Sequence, residues 1–173
     1  MGAPTGWIGG WVPGHLDLLR AADCLAVMTD VEAFPTGVSF SLVFRLRPGV
    51  NREIGPGPRR PLMRGFRSPD GPRFGIGLAD GRKVVLGRHV ELDENEPTGP
   101  LLMSGGGGGN RDEWRTSAWL WPLPPAGPTT FVMSWPKLEI PEAAVSRDAT
   151  ELINAAAFAE RLWGDDENEP LDQ

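Results

Sequence analysis

Val38-Ser39-Phe40-Ser41-Leu42-Val43-Phe44-Arg45-Leu46-Arg47 is the stretch on which the fold class turns. Val38, Phe40, Leu42, Phe44 and Leu46 fall on one side of an extended chain, and Ser39, Ser41, Val43, Arg45 and Arg47 on the other. Side chains in a strand point alternately to opposite faces, so a two-residue period held over ten positions predicts a strand with one buried face. Upstream, residues 24–33 (CLAVMTDVEA) are rich in strand formers, and Phe34-Pro35-Thr36-Gly37 supplies a turn between the two runs. The pair therefore reads as an antiparallel hairpin.

The same signals recur downstream. Residues 73–79 and 82–88 flank Asp80-Gly81, a two-residue hairpin turn in which glycine accepts positive φ. Leu101–Ser104 reads as a short strand, and Gly105–Gly109 as a flexible turn. Residues 114–121 form a strand ended by Pro122-Leu123-Pro124-Pro125, because proline cannot donate to a ladder. Thr129–Trp135 is a further strand stopped by Pro136, and residues 142–147 add a last short one. Asp148 with Glu151 resembles a capping box, and Leu152, Ala155, Ala156, Ala159, Leu162 and Trp163 recur at helical spacing. One helix over about 149–163 follows, with Trp163 buried. Eight strands and one helix predict a mainly β chain: an antiparallel β-sandwich, jelly-roll-like, with one C-terminal α-helix over a face or open end. A partly open barrel is the second choice. Residues 1–22 read as a Gly/Trp-rich arm without regular structure, 23–163 as the sandwich domain, and 164–173 as an acidic tail.

Composition narrows the function. The 173 residues hold 23 glycines, 18 prolines, seven tryptophans, no tyrosine and one cysteine. So much turn chemistry disfavours a helical bundle. A lone Cys24 excludes an intrachain disulfide framework and any multi-cysteine zinc site. No apolar run approaches the ~18 residues of a membrane span, and the first residues lack the basic and apolar regions of a secretory signal. A cytoplasmic protein is the expectation. Charge is uneven: residues 1–44 carry net −3, residues 45–88 net +8 and residues 89–173 net −11. Such asymmetry marks either an anionic partner for the middle segment or internal compensation by the acidic third. The arginine excess over lysine, with the glycine and proline content, points to a GC-rich bacterial source.

No local motif carries catalysis. Gly105–Gly109 lacks the following helix and Lys-Ser/Thr pair of a phosphate loop. His15 with Asp17 offers two metal ligands, short of a site, and His89 lies among acidic residues that read as solvated surface. The DENEP pentapeptide occurs at 93–97 and again at 166–170, without the glycine and closing glutamate of a calcium loop. Cys24 sits in an apolar strand, and no Gly-x-Ser-x-Gly elbow exists. No catalytic residue, metal ligand or cofactor is assigned. Trp114, Trp119, Trp121 and Trp135 form either an exposed aromatic row or core packing, the second being the expected reading. Pro122-x-x-Pro125 is read as loop shaping rather than a polyproline ligand.

The hairpin R-F-G-I-G-L-A-D-G-R-K (73–83), the glycine run (105–109), the W-L-W-P-L-P-P-A-G-P block (119–128), the Trp135-Pro136 pair and the close at Leu162-Trp163 resemble a family of small uncharacterised actinobacterial proteins. The resemblance spans roughly residues 23–163. It implies a single cytoplasmic domain and transfers no activity or catalytic residue.

Residues 48–72 hold six prolines, five glycines and five arginines, which forces a long surface loop. Arg52, Arg59, Arg60, Arg64 and Arg67 project from it, with Phe66 among them as an anchor and Arg45 and Arg47 flanking. Trp7 and Trp11 mark the N-terminal arm. The expected function is a non-enzymatic macromolecule-binding protein, a protein–protein interaction module with an acidic protein as partner. One alternative is a nucleic-acid or ribosome-associated factor binding through residues 45–88. Another is a small-ligand or hydrolase-type sandwich with its site at the open end.

Overall fold

The computed structural model describes residues 2–50, 66, 71–87, 99–110 and 112–163. Twelve strands appear among them, with a single turn of 3-10 helix at Pro136–Leu138 and one α-helix. The predicted hairpin is present as β4 (Cys24–Phe34) and β5 (Gly37–Leu46). Strands β1 (Trp7–Ile8), β2 (Gly10–Val12) and β3 (Leu16–Arg20) precede it. After it come β6 (Arg73–Gly77), β7 (Lys83–Val85), β8 (Leu101–Gly109), β9 (Glu113–Trp121), β10 (Pro128–Trp135), β11 (Ile140–Asp148), helix α1 (Thr150–Ala156) and β12 (Glu160–Arg161).

Three antiparallel sheets result. A six-stranded sheet runs β2-β4-β5-β9-β8, with β3 also pairing β4. A four-stranded sheet runs β11-β10-β6-β7, and β1 pairs β12. The two larger sheets face each other as a β-sandwich. The alternation of β5 is the reason: Phe40, Leu42 and Phe44 are buried between the sheets, while Arg45 is exposed. Aromatic rings bridge the layers edge to face. Phe40 of one sheet meets Phe74 of the other at 6.1 Å, and Phe44 meets Trp135 at 6.1 Å. Such contacts contribute beyond the area they bury, about 0.5–1.5 kcal/mol each.

A bulge in β4 adjusts the pattern. Thr29 pairs Ser41 and Glu32 pairs Ser39, so Asp30 and Val31 oppose the single residue Phe40. Asp30 takes φ 51°, a left-handed conformation that aspartate tolerates better than most residues. The extra residue switches parity, so Ala26 and Met28 face inward before it, and Val31 and Ala33 after it.

Several expectations are corrected. Residues 1–22 are not an unstructured arm: β2 and β3 both pair with β4. Gly105–Gly109 is not a flexible turn but the second half of β8, laddered to β9. Cβ atoms built at Gly107 and Gly109 would lie 2.8 Å and 2.0 Å from β9 carbonyl oxygens, so side chains there would obstruct the pairing. The turn sits one step later, where the Asn110 side-chain oxygen accepts the N–H groups of Asp112 and Glu113, each at 2.9 Å. The helix ends at Ala156, not 163, because Glu160–Arg161 pairs with Trp7–Ile8. The N-cap is Ala149, without a side-chain cap, and Asp148 one residue earlier accepts the Thr150 N–H at 2.8 Å. Trp163 is half exposed, not buried.

Among the described residues, no helix is long and apolar enough to cross a membrane. The loop arginines Arg52, Arg59, Arg60, Arg64 and Arg67, together with His89, both DENEP segments and the acidic tail, lie outside the described residues.

Candidate functional site

The helix and the chain ends build one feature on the flank of the six-stranded sheet. Helix α1 lies against β2 and β4 and buries Ala155 and Ala156 there, with Leu152 half buried beside them. The approach is close because Gly10 lacks a side chain: a Cβ at that position would sit 1.7 Å from the Ala155 carbonyl oxygen. After the helix the chain turns and runs beside its own beginning. Trp7 pairs Arg161, Ile8 pairs Glu160, and the Leu162 N–H donates to the Gly6 carbonyl at 2.8 Å. The Trp163 ring lies against Gly6, which stands at φ 77°.

This terminal unit leaves large apolar side chains in solvent. Phe158 is 78% exposed, Trp11 55% and Trp163 50%, and Ile8 and Leu162 are comparably open. Elsewhere among the described residues, only Val85 is exposed in this way. Large apolar side chains left in solvent around one pair of strands are candidates for a docking site. Tryptophan and phenylalanine are enriched where protein interfaces carry their binding energy.

The other expected site residues are placed differently. Arg45 is ion-paired to Glu113 at 2.9 Å, and Arg47 to Asp23 at 2.7 Å. Both carry acidic partners from this chain, Glu113 from the acidic third and Asp23 from the first segment. Arg115 pairs with Asp30 and donates to the Ser41 hydroxyl at 3.3 Å, which places charge on the outer face of the six-stranded sheet. Phe66 is not a free anchor: its half-buried ring sits 5.6 Å from that of Phe44 and 6.4 Å from that of Phe74. Trp7 is half buried beside Arg161, whereas Trp11 points outward. The tryptophans of the sandwich are largely packed. Trp135 is fully buried, and Trp119 is covered by Phe34 at 5.7 Å.

The chemically reactive side chains are dispersed. Cys24 is buried, and loss of hydration pushes its thiol up to about 12, so at neutral pH it is a protonated, inert thiol. His15 is exposed, 3.5 Å from Asp17. Asp17 also accepts a hydrogen bond from Arg20 at 2.8 Å, and that bond holds its carboxyl below the usual carboxylate range. Among the described residues, no group of three or more His, Cys, Asp or Glu side chains is placed to hold a metal ion.

The exposed terminal unit was half legible in the sequence. Trp7 and Trp11 stood out by residue type in a Gly-rich stretch. Leu162 did not, because helical spacing assigned it to a buried stripe, and Phe158 fell outside that stripe and carried no signal of its own. No family model, curated protein or solved structure matches the chain.

Proposed function

We propose that this chain is a non-enzymatic protein–protein interaction module that docks through its terminal unit into an apolar groove with a basic rim on a partner protein. The observation that carries the reading is that Ile8, Trp11, Phe158, Leu162 and Trp163, on or near the paired segments β1 and β12, all stand in solvent. Trp11 and Phe158 are the anchors, since buried aromatics supply most of the affinity in such contacts. Charge supplies the rim preference. Glu160 is exposed in β12, and the sequence runs on from Trp163 into Gly164-Asp165-Asp166-Glu167. Acidic residues next in sequence to apolar ones favour encounter with a basic surface. The pairing of Arg45 and Arg47 with Glu113 and Asp23 weighs against nucleic acid as the partner of that sheet face.

The test compares the natural chain with a Trp11→Ser, Phe158→Ser double variant as bait in cell lysate, with and without nuclease. The expected result is a protein recovered at low salt by the natural chain, resistant to nuclease and lost with the variant. Surface substitutions of this kind change stability by about 0.5 kcal/mol or less, so the variant should melt with the natural chain. Equal recovery by both baits, or recovery abolished by nuclease, refutes the proposal.

A further inference from the structure

A half-open cleft of about 240 Å³ lies where the β2–β3 connection, β4, β10 and the junction of β11 with α1 converge. Its floor is apolar: Met28, Val31 and Phe131 are buried there, with Leu152 of α1 along one side. Its mouth carries both signs of charge. Arg147 supplies a cation, Asp148 and Glu151 supply carboxylates, and His15 stands on the same rim, 3.5 Å from Asp17.

The ladder explains how an arginine comes to stand over an apolar floor. Arg147 pairs with the buried Thr129 across β10 and β11, and Val145, two residues earlier on the same face, packs against the core. Arg147 is thus the last position on the inward-looking face of β11, where the strand gives way to the helix and the side chain reaches solvent. Arg20, Arg45, Arg47, Arg82 and Arg115 each form an ion pair with a carboxylate of this chain. Arg147 forms none among the described residues, although two carboxylates share its mouth. Asp148 gives one oxygen to the Thr150 N–H at 2.8 Å and keeps the other, and Glu151 has no ion-pair partner among the described residues. A simple anion here would meet two carboxylates, and a simple cation would meet the guanidinium. A molecule that carries both charges finds a complementary group for each.

We propose that this cleft binds a free amino acid with an apolar side chain: its carboxylate on Arg147, its ammonium against Asp148 and Glu151, and its side chain on the floor of Met28, Val31 and Phe131. The planar guanidinium fork matches the two oxygens of a carboxylate. Apolar surface with a few placed charged groups is the common pattern of small-molecule sites. A void of about 150 Å³ takes benzene, so one of about 240 Å³ holds a molecule of leucine's size. The end of a peptide shares half of this chemistry, one charge without the other, and the experiment separates the two. The site stands apart from the protein-docking proposal, since neither Trp11 nor Phe158 lines it.

L-Leucine, N-acetyl-L-leucine, L-leucinamide and glycine test the assignment, each titrated into the full-length chain and followed by heteronuclear NMR. Leucine should shift the resonances of Met28, Val31 and Leu152 with a Kd of about 1 mM, within the efficiency bounds for so small a ligand. Glycine, which has no apolar side chain, should bind about 10-fold more weakly or worse. Acetylation removes the ammonium and amidation the carboxylate. Each should weaken binding about 5- to 10-fold, between the worth of an exposed ion pair and that of a charged hydrogen bond. Arg147→Gln should weaken leucine by a similar factor and leave leucinamide unchanged, whereas Glu151→Gln should weaken leucine and leave N-acetyl-leucine unchanged. Both side chains are exposed, so both variants should melt with the natural chain. Tighter binding of N-acetyl-leucine or leucinamide than of leucine would assign the cleft to a peptide end and overturn the proposal. So would shifts elsewhere, no shifts with leucine up to tens of millimolar, or an equal effect of Arg147→Gln on leucine and leucinamide.

Discussion

Replacing Gly10 with alanine isolates the contact that holds α1 to the sheet. Strand β2 cannot retreat, because Gly10, Trp11 and Val12 are laddered to Ala33, Glu32 and Val31. The added methyl would lie 1.7 Å from the Ala155 carbonyl oxygen and 2.5 Å from its carbon, against 3.4 Å for ordinary contact, so the helix must back away by about 1.7 Å. Overpacking a well-filled interface costs about 1–3 kcal/mol. The opposing atoms here are backbone on both sides, which places this case at the upper end. The alanine also stiffens the unfolded chain, an offset of at most about 1 kcal/mol. The net loss is ~2–3 kcal/mol, and in a domain of this size each kcal/mol moves Tm by about 2–4 °C. Calorimetry should therefore show Tm lowered by ~4–12 °C, with amide protection lost first across Thr150–Ala156. Gly106→Ala is the control, since nothing lies within 4 Å of a Cβ there, and its Tm should stay level or rise slightly. A Gly10→Ala protein that melts within a degree of the natural chain and keeps its helix protection would refute the reasoning.

Trp163→Ala should cost under ~1.5 kcal/mol in urea denaturation, well short of the ~3–5 kcal/mol lost when a core tryptophan is truncated, because half of the ring is already in solvent. A thiol reagent at pH 8 should leave Cys24 unmodified until denaturant opens the sandwich, and rapid labelling of the native protein would contradict its burial. Asp148 has its carboxyl lowered from 3.8 by the Thr150 hydrogen bond. Its contribution is thus complete above the unfolded value and lost as pH falls through the lower folded one. Asp148→Asn should flatten the fall of Tm below pH 4, and an unchanged acid limb would show that the charge adds nothing to the hydrogen bond with Thr150.

The central hairpin was legible because a strand buried on one face tends to alternate, and β5 does so along most of its length, with Val43 on the outer face also buried. Asp80-Gly81 was legible as a turn because its signal is local, but the loop holds three residues rather than two: Leu78 N–H donates to the Arg82 carbonyl at 2.8 Å, Gly81 N–H to the Leu78 carbonyl at 3.0 Å, and Gly81 supplies φ 87°. The elements misread are those whose conformation is imposed from a distance. Glycine run 105–109 has no strand preference of its own and is extended because β9 lies alongside. Residues 160–163 carry a helical pattern, yet Trp7 and Ile8 draw Glu160 and Arg161 into a ladder. Trp11 was visible by type, but its exposure follows from how β2 pairs with β4.

The pairing of β1 with β12 has a consequence for the order of synthesis. A chain leaves the ribosome beginning end first, at about 5–20 residues per second, and its early segments fold as partners become available. Cys24–Phe34 and Gly37–Leu46 can pair almost at once, whereas Trp7 and Ile8 must wait for Glu160 and Arg161. Throughout that interval Gly10 has no helix above it, and the aromatic residues of the two ends belong to no common surface. The β1–β12 ladder comes into being only when translation has passed residue 161 and the sandwich has closed, so a partner that recognises it distinguishes chains in which the ladder is made from those in which it is not.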